Sequence, residues 1–214
     1  MVKIAPSLLA ANFANLKEEL DAIKVAGAHW VHYDVMDGHF VPNISFGYSI
    51  LNDISKVTDL YLDVHLMISE PQQYVDQFIK AGANLIVFHI EAMEDEVATI
   101  ALIETIKKQG VDVGISIKPA TTVAQIEKYL PLLDVVLVMS VEPGFGGQSF
   151  NESAVEKIKQ LKELRKDNHY LIEVDGGINE VTGLQCIQAG VDVLVAGSYI
   201  FNSDNYQEKI EALM

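Results

Sequence analysis

Residues 81–89 read Ala-Gly-Ala-Asn-Leu-Ile-Val-Phe-His, which is a small residue, a glycine and then an almost unbroken apolar run. Glycine directly after an amphipathic segment is typical of the left-handed residue that ends a helix. The apolar run from Leu85 to His89 is short and contains β-branched and aromatic residues, which predicts a buried strand. The stretch therefore predicts a helix that ends at Ala81 and a parallel strand that follows it.

The same signal recurs along the chain, at Ala26-Gly27-Ala28, Gln109-Gly110-Val111 and Ala189-Gly190-Val191. The spacings between the four glycines are close to two, one and three copies of one repeat length, and eight copies of that length fill the 214 residues. Eight strands are predicted, near Lys3 to Ala5, Trp30 to Tyr33, Tyr61 to Leu66, Leu85 to His89, Asp112 to Ile117, Val135 to Met139, Leu171 to Val174 and Val193 to Ala196.

Amphipathic segments between these runs predict the helices. They are Leu16 to Val25, Tyr48 to Ser55, Gln72 to Ala81, Glu94 to Gln109, Val123 to Lys128, Ser153 to Lys166, Val181 to Ala189 and a short one from Asn205. Eight alternating pairs without a linker or a low-complexity stretch favour an α/β fold, a single-domain (β/α)₈ TIM barrel over residues 1–214. An open doubly wound sheet is the alternative, but no Gly-x-Gly-x-x-Gly follows the first strand.

Composition limits the partners and the compartment. Thirty acidic and fifteen basic side chains give a net charge of −15, which repels phosphate backbones and anionic lipids, so neither nucleic acid nor a membrane is an expected partner. One cysteine, Cys186, excludes an intrachain disulfide and a multi-cysteine metal site and favours a cytoplasmic location. The first residues lack the pattern of a secretion signal, and no run of eighteen apolar residues occurs, so neither export nor a membrane span is expected.

Ionisable side chains stand at the predicted strand ends, where barrel enzymes carry their chemistry. Strand 2 runs into His32-Tyr33-Asp34, which puts His32 and Asp34 on one face, strand 3 contains His65, and strand 7 is followed by Asp175. Two imidazoles and two carboxylates that converge at one opening suit one divalent transition metal cation per subunit, zinc, iron, manganese or cobalt. Met36, Met67 and Met139 stand at or just beyond strand ends and predict an apolar wall at the same opening.

Glycines cluster in the loops after the last three strands. They occur in Pro143-Gly144-Phe145-Gly146-Gly147-Gln148, in Gly176-Gly177 and in Gly197-Ser198. Glycine lets backbone N–H groups approach an anion, and helix amino termini beyond such loops add positive potential. Because these loops contain no Arg or Lys, the backbone amides themselves are predicted to bind a phosphate group.

Three further side chains have competing interpretations. His89 and Glu91 near the end of strand 4 could support the metal site, but structural roles are favoured because no second His-x-Asp pattern is nearby. Lys118 after strand 5 could form a Schiff base with a ketone substrate, which keeps an aldolase open. Pro119 follows it directly and marks the end of a strand, where lysines are more often solvated.

Taken together, several segments resemble the ribulose-phosphate 3-epimerase family over nearly the whole chain. The segments that carry the resemblance are Ile4-Ala5-Pro6-Ser7-Leu8-Leu9, Asp34-Val35-Met36-Asp37-Gly38-His39-Phe40-Val41-Pro42-Asn43, Asp63-Val64-His65-Leu66-Met67, Met139-Ser140-Val141-Glu142-Pro143-Gly144-Phe145-Gly146-Gly147-Gln148, Glu173-Val174-Asp175-Gly176-Gly177-Ile178 and Val195-Ala196-Gly197-Ser198. The fold of that family is a (β/α)₈ barrel, which agrees with the repeat count.

The resemblance implies an isomerase that interconverts D-ribulose 5-phosphate and D-xylulose 5-phosphate at carbon 3 through an enediolate. It implies metal ligation by His32, Asp34, His65 and Asp175, with Asp34 and Asp175 also acting as acid and base. The substrate contacts that it implies are Ser7, His65, Gly144, Phe145, Gly146, Gly147, Asp175, Gly176, Gly177, Gly197 and Ser198. A homo-oligomer is expected.

Three alternatives remain at this point. A hexulose-phosphate epimerase, acting for example on allulose 6-phosphate, needs the same catalytic residues and room for one more hydroxymethylene group. A phosphosugar aldolase or decarboxylase would use Lys118. A barrel that only binds a phosphosugar as a sensor would show no turnover with metal supplied.

Overall fold

The computed structural model describes residues 2–214, and its centre is one sheet of eight parallel strands in the order β1-β8-β7-β6-β5-β4-β3-β2. The strands are β1 Lys3–Pro6, β2 Trp30–Met36, β3 Tyr61–Met67, β4 Leu85–His89, β5 Asp112–Ile117, β6 Val135–Met139, β7 Leu171–Asp175 and β8 Val193–Ala196. All eight predicted strands are confirmed, and β1, β2, β3 and β7 extend one to three residues further at their carboxyl ends.

The two edges of the sheet meet between β1 and β2. A single parallel bridge joins Ser7, just after β1, to His32 in β2. The other neighbouring strands pair through continuous parallel registers, such as Asp34 opposite His65 between β2 and β3. The sheet is therefore a nearly closed barrel with helices between its strands, which confirms the predicted (β/α)₈ architecture. That residues 1–214 form one domain stays a prediction.

The helices connect the strands on the outside of the barrel. They are α1 Leu16–Val25, α2 Tyr48–Ile54, α3 Val75–Lys80, α4 Glu96–Lys108, α5 Ser153–Arg165, α6 Glu180–Ala189, α7 Ser198–Phe201 and α8 Tyr206–Glu211. No helix among residues 2–214 combines the length and the apolar character needed to cross a membrane.

The helical segment predicted over Val123 to Lys128 is helical in the structure, but it is not one continuous helix. The chain forms two 3₁₀ helices there, Val123–Gln125 and Glu127–Leu132. Proline inside the second of them lacks the N–H that an α-helix requires, which favours short 3₁₀ turns. The short helix α7 was not predicted, because its four residues are too few to show a helical period.

The four repeated glycines end helices as predicted. Their φ angles are 100° at Gly27, 104° at Gly82, 75° at Gly110 and 108° at Gly190. Residues that have a Cβ atom rarely adopt such positive φ angles. Gly190 is the clearest case, since its N–H donates to the last turn of α6 at the carbonyls of Cys186 and Ile187. Each glycine reverses the chain so that the next strand can enter the barrel.

Alternation along the strands separates two apolar clusters. In β2, Val31, Tyr33 and Val35 belong to the large cluster between the strands and the helices. Trp30 belongs to the smaller cluster inside the barrel, and it stacks on Tyr61 with ring centroids 4.4 Å apart. Because side chains alternate, His32 and Asp34 continue the inward-facing row from Trp30 toward the carboxyl end.

Candidate active site

A cavity of about 780 Å³ opens at the carboxyl ends of the strands. Asp34, predicted as an acid/base residue, lines it. So do all the residues predicted to bind substrate except His65, namely Ser7, Gly144, Phe145, Gly146, Gly147, Asp175, Gly176, Gly177, Gly197 and Ser198. Met36, Met67 and Met139 line it too, as the predicted apolar wall requires. His32 and His65 are fully buried and do not line the cavity, so they lie in the barrel interior beside Asp34.

Four predicted metal ligands converge. His32, Asp34, His65 and Asp175 each offer one ligand atom, and these atoms lie within 4.8 Å of one another. The Nε2 atom of His32 is 3.2 Å from Oδ1 of Asp34 and 3.3 Å from Nδ1 of His65, and the last two atoms are 3.2 Å apart. Atoms that each lie about 2.0–2.2 Å from one cation stand about 2.8–3.6 Å apart, from octahedral to tetrahedral geometry, so the donor atoms fit one transition metal.

The β1–β2 joint orients Asp34. The hydroxyl of Ser7 donates to Oδ2 of Asp34 at 2.6 Å, and Oδ1 faces the two imidazoles. Ser7 was predicted to contact the sugar. Although it lines the cavity, its hydroxyl hydrogen is engaged by Asp34, so the structure adds an orienting role that sequence reasoning missed.

Two acidic residues lie next to His32 inside the barrel, and sequence reasoning gave neither of them a role. Oδ2 of Asp63 accepts from Nδ1 of His32, which leaves Nε2 of His32 directed at Asp34 and His65. Glu173 is also fully buried, with an oxygen 3.9 Å from Nδ1 of His32. Their alternation with His65 and Asp175 in the strands is the signal that could have revealed them, since it puts all four on the inner face.

The pKa values of His32 and Asp34 reflect this concentration of charged and polar groups. Burial lowers the pKa of His32, but Asp63 and Asp34 outweigh burial and hold that pKa well above 6.5. Burial raises the pKa of Asp34, but His32 and His65 outweigh it and hold the pKa well below its usual range. The site therefore stabilises positive charge next to an ionised Asp34.

Asp175 experiences the opposite effect. Burial, with the carboxylates of Asp34 and Asp63 as further causes, raises the pKa of Asp175 to about 7. Two carboxyl groups in one site thus have pKa values displaced in opposite directions. Such a pair can hold a proton on one group while the other accepts one, which is the requirement for acid and base chemistry near neutral pH.

His89 and Glu91 extend the site away from the cavity. Nε2 of His65 lies 2.9 Å from Nε2 of His89, and Nδ1 of His89 lies 3.0 Å from Oε2 of Glu91. Burial lowers the pKa of His89 to about 4, and burial of Glu91 is outweighed by hydrogen bonds from His89 and Thr121 that lower its pKa to about 2. Burial also lowers the pKa of His65. At neutral pH the two histidines are neutral and Glu91 is ionised.

The glycine loops meet at one side of the cavity. A Cβ atom on Gly177 would lie 2.6 Å from the backbone nitrogen of Phe150, so only glycine allows the loops after β6 and β7 to approach this closely. Within residues 2–214, the N–H groups of Gly177, Gly197 and Ser198 have no protein acceptor. These amides border the cavity and can donate to an anion.

Lys118 lies outside this arrangement. Within the described residues 2–214, Lys118 is not one of the residues that line the cavity. Its ammonium group lies 3.9 Å from the centre of the Phe40 ring. The contact is a cation–π interaction at the exit of β5. The geometry gives no support to a Schiff base formed in the cavity.

A cavity ringed by strand-end carboxylates, imidazoles and glycine loops defines a (β/α)₈-barrel enzyme. A profile of the ribulose-phosphate 3 epimerase family matches residues 3–201. The ribulose-phosphate 3-epimerase of Bacillus subtilis is 46% identical over 216 residues, which covers 100% of this chain and 98% of that protein. The chain belongs to the ribulose-phosphate 3-epimerase family and is a carbohydrate epimerase.

One further relative and one solved structure are also similar to this chain. The chloroplastic ribulose-5-phosphate-3-epimerase of Arabidopsis thaliana is 45% identical over 212 residues, covering 98% of this chain and 75% of that protein. The crystal structure of 3-hexulose-6-phosphate synthase superposes with a TM-score of 0.68 at 16% identity, covering 99% of this chain and 97% of that one. The second likeness concerns the fold alone.

The low pKa of His89 predicts that this residue makes folding sensitive to acid. Histidine has a pKa of about 6.5 in an unfolded chain, and His89 has a pKa of about 4 in the folded protein. Between these two pH values the unfolded chain therefore binds a proton at His89 that the folded protein does not bind. The free energy of unfolding falls as pH falls through that window. In metal-free protein, the free energy of unfolding should decrease by about 2–3 kcal/mol less in His89→Gln than in the wild type between pH 7 and 4. Urea unfolding at each pH measures this difference.

His169→Gln is the matched control, because His169 is exposed. It should leave the pH dependence of the wild-type protein unchanged. Parallel pH dependences for the wild type and His89→Gln would contradict the prediction.

Proposed function

We propose that the chain interconverts D-ribulose 5-phosphate and D-xylulose 5-phosphate by moving the proton on carbon 3 from one face to the other. The observation that carries the proposal is the pair Asp34 and Asp175, which line one cavity with pKa values displaced in opposite directions. The names of the relatives support the choice of substrate.

The reaction needs one group to remove a proton beside a carbonyl and another to return a proton. Asp34, ionised and oriented by Ser7, accepts the carbon 3 proton at a carboxylate oxygen. The C–H electron pair moves toward the carbonyl, and an enediolate forms. Asp175, with its pKa of about 7, then gives its carboxyl proton to the opposite face of carbon 3. In the reverse direction the two residues exchange roles.

One divalent cation completes the proposed site. His32 through Nε2, Asp34 through Oδ1, His65 through Nδ1 and the carboxylate of Asp175 would hold it, and this donor set suits zinc, iron, manganese or cobalt. When bound, the cation would supply Lewis acidity toward the oxygens of the substrate. This would stabilise the negative charge that develops in the transition state by several kcal/mol.

The glycine loops fix the other end of the substrate. The free amides of Gly177, Gly197 and Ser198 border the cavity, and the proposal assigns the phosphate to them. Binding energy from this remote group positions carbon 3 between the carboxylates. His65 and the loop Gly144 to Gly147 remain proposed substrate contacts.

A hexulose phosphate is the second candidate substrate, because a cavity of about 780 Å³ has room for either sugar. A coupled assay on both sugars distinguishes the two. The expected homo-oligomer and the cytoplasmic location stay predictions, and one relative is described as chloroplastic.

Removal of metal should abolish turnover. Dialysis against a chelator takes the cation from a site whose carboxylates and imidazoles hold it, and addition of Zn²⁺, Mn²⁺, Co²⁺ or Fe²⁺ should restore activity. Metal content by elemental analysis should drop in His32→Gln but stay at one ion per chain in His39→Gln, because His39 lies on an exposed loop. Full activity in rigorously metal-free protein would end the metal proposal.

Replacing either carboxylate should separate proton exchange from epimerisation. Asp34→Asn and Asp175→Asn each remove one proton acceptor, and loss of general base catalysis should lower kcat by about 10²- to 10⁴-fold. A variant that keeps its metal should still exchange the carbon 3 proton of one epimer with D₂O, as followed by NMR. Equal loss of exchange for both epimers in both metal-loaded variants, or normal epimerisation in either, would refute the two-base assignment.

Phosphate binding by backbone amides makes the phosphate group essential to the substrate. The unphosphorylated ketopentose should therefore have a far lower kcat/KM. Gly146→Val should raise KM, since a Cβ on Gly146 meets nothing within 4 Å and the new side chain blocks the cavity without disturbing packing. Gly47→Val, equally open but away from the cavity lining, is the control. Comparable kcat/KM for both sugars would overturn the assignment.

A further inference from the structure

His89 at the end of β4 is a fully buried polar residue that has no part in the proposed reaction. Its ring lies between His65 and Glu91, with nitrogen-to-nitrogen and nitrogen-to-oxygen distances of 2.9 Å and 3.0 Å. Both ring nitrogens of His89 are therefore engaged. Two hydrogen bonds on one buried imidazole fix its orientation and link the metal site to Glu91.

The protons in this chain have only one consistent order. Nδ1 of His65 faces Asp34 and His32, and as a metal ligand it must present a lone pair, so the proton of neutral His65 lies on Nε2. Nε2 of His89 must then accept a hydrogen bond from this N–H group of His65. The proton of His89 consequently lies on Nδ1 and is donated to Oε2 of Glu91.

Glu91 is fixed from its other side. Its Oε1 accepts the backbone N–H of Lys118 at 2.7 Å and the hydroxyl of Thr121, both from the segment that follows β5. A carboxylate has acceptors only, so Glu91 determines the direction of the whole chain of hydrogen bonds. The side chain is 21% exposed, which places this end of the chain near the protein surface.

We propose that His89 and Glu91 are positioning residues that hold His65 with its proton on Nε2 and its Nδ1 lone pair directed at the cation site. The inference rests on the proposed metal site. It assigns to two residues a role in metal affinity although neither contacts the cation, the sugar or the reacting carbon. Partners of this kind typically change metal affinity by about 10- to 100-fold when they are removed.

A packing role would depend on different properties of the same ring. The His89 ring lies 4.8 Å from the Phe40 ring and 5.0 Å from the His65 ring, centre to centre. His89→Phe preserves an aromatic ring but removes the acceptor for His65. His89→Gln removes the ring but offers an amide oxygen near the place of Nε2. Packing favours the Phe variant, and positioning of His65 favours the Gln variant.

The test measures Zn²⁺ affinity by competition with a chromophoric chelator, together with thermal unfolding of each metal-free variant. His89→Phe should weaken Zn²⁺ binding by about 10- to 100-fold, and His89→Gln should recover a large part of that loss. Equal affinity for the wild type and His89→Phe, or tighter binding by His89→Phe than by His89→Gln, would overturn the inference.

A second pair of variants keeps the test independent of the buried ring. Glu91→Gln puts an amide NH₂ toward either His89 or the Lys118 N–H, so it opposes the proton order and should weaken Zn²⁺ binding. Thr121→Val removes one donor to Glu91 but leaves its charge and the Lys118 contact, and should bind Zn²⁺ nearly as the wild type does. Unchanged affinity in Glu91→Gln would overturn the inference.

Nitrogen-15 NMR of the zinc-loaded wild type reads the proton position directly. A protonated Nε2 and a metal-bound Nδ1 on His65 support the inference, and the opposite tautomer overturns it. Failure of the wild type to bind any divalent cation overturns the metal site and the inference with it. Tight binding by the wild type and by His89→Phe alike overturns the inference alone.

Discussion

Buried carboxylates crowd the interior of this barrel, and their charge has to be balanced. Asp34 and Asp63 are nearly or fully buried around His32, with Glu173 alongside, and Oδ1 of Asp63 and both carboxylate oxygens of Glu173 have no hydrogen-bond partner among residues 2–214. An ion transferred from water to a protein interior costs several kcal/mol unless it is paired. Burial and the neighbouring Asp63 raise the pKa of Glu173 well above its ordinary value, so the neutral form of Glu173 is favoured. Asp34 instead keeps its charge beside the imidazoles, which is where a cation is most strongly stabilised.

The same constraint explains why two similar carboxyl groups differ. Asp34 faces two imidazoles and accepts the Ser7 hydroxyl, so its ionised form is favoured. Asp175 sits at the cavity among other carboxylates, and its protonated form is favoured. The difference comes from neighbours on β2 and β3 and from Ser7 just after β1, rather than from any property of the two residues. The opposite displacements of the two pKa values are thus a product of strand order in the barrel.

Much of this arrangement follows from the sequence because barrel strands are short apolar runs and their ends share one edge. His32, Asp34, His65 and Asp175 were predicted to converge from this geometry alone. The position of Asp63 beneath His32 needs the register between β2 and β3, in which His32 lies opposite Asp63, and single-strand patterns do not contain a register. A structural role was predicted for His89 because no second His-x-Asp pattern is nearby, and its contact with His65 becomes visible only when β3 and β4 lie side by side. The helical segment predicted after β5 divides into two 3₁₀ helices, and Pro131 in the second of them lies beyond the predicted stretch.

The joint between β1 and β2 has a consequence for the order of events during synthesis. β1 pairs in register with β8 and meets β2 at the bridge between Ser7 and His32. β1 therefore finds its main partner only when β8 has been made. Ser7 holds Asp34 from this joint, so the surroundings of the Asp34 carboxylate are complete only when β1 is fixed against β8. The cavity therefore depends on two strands that lie far apart along the chain and side by side in the barrel.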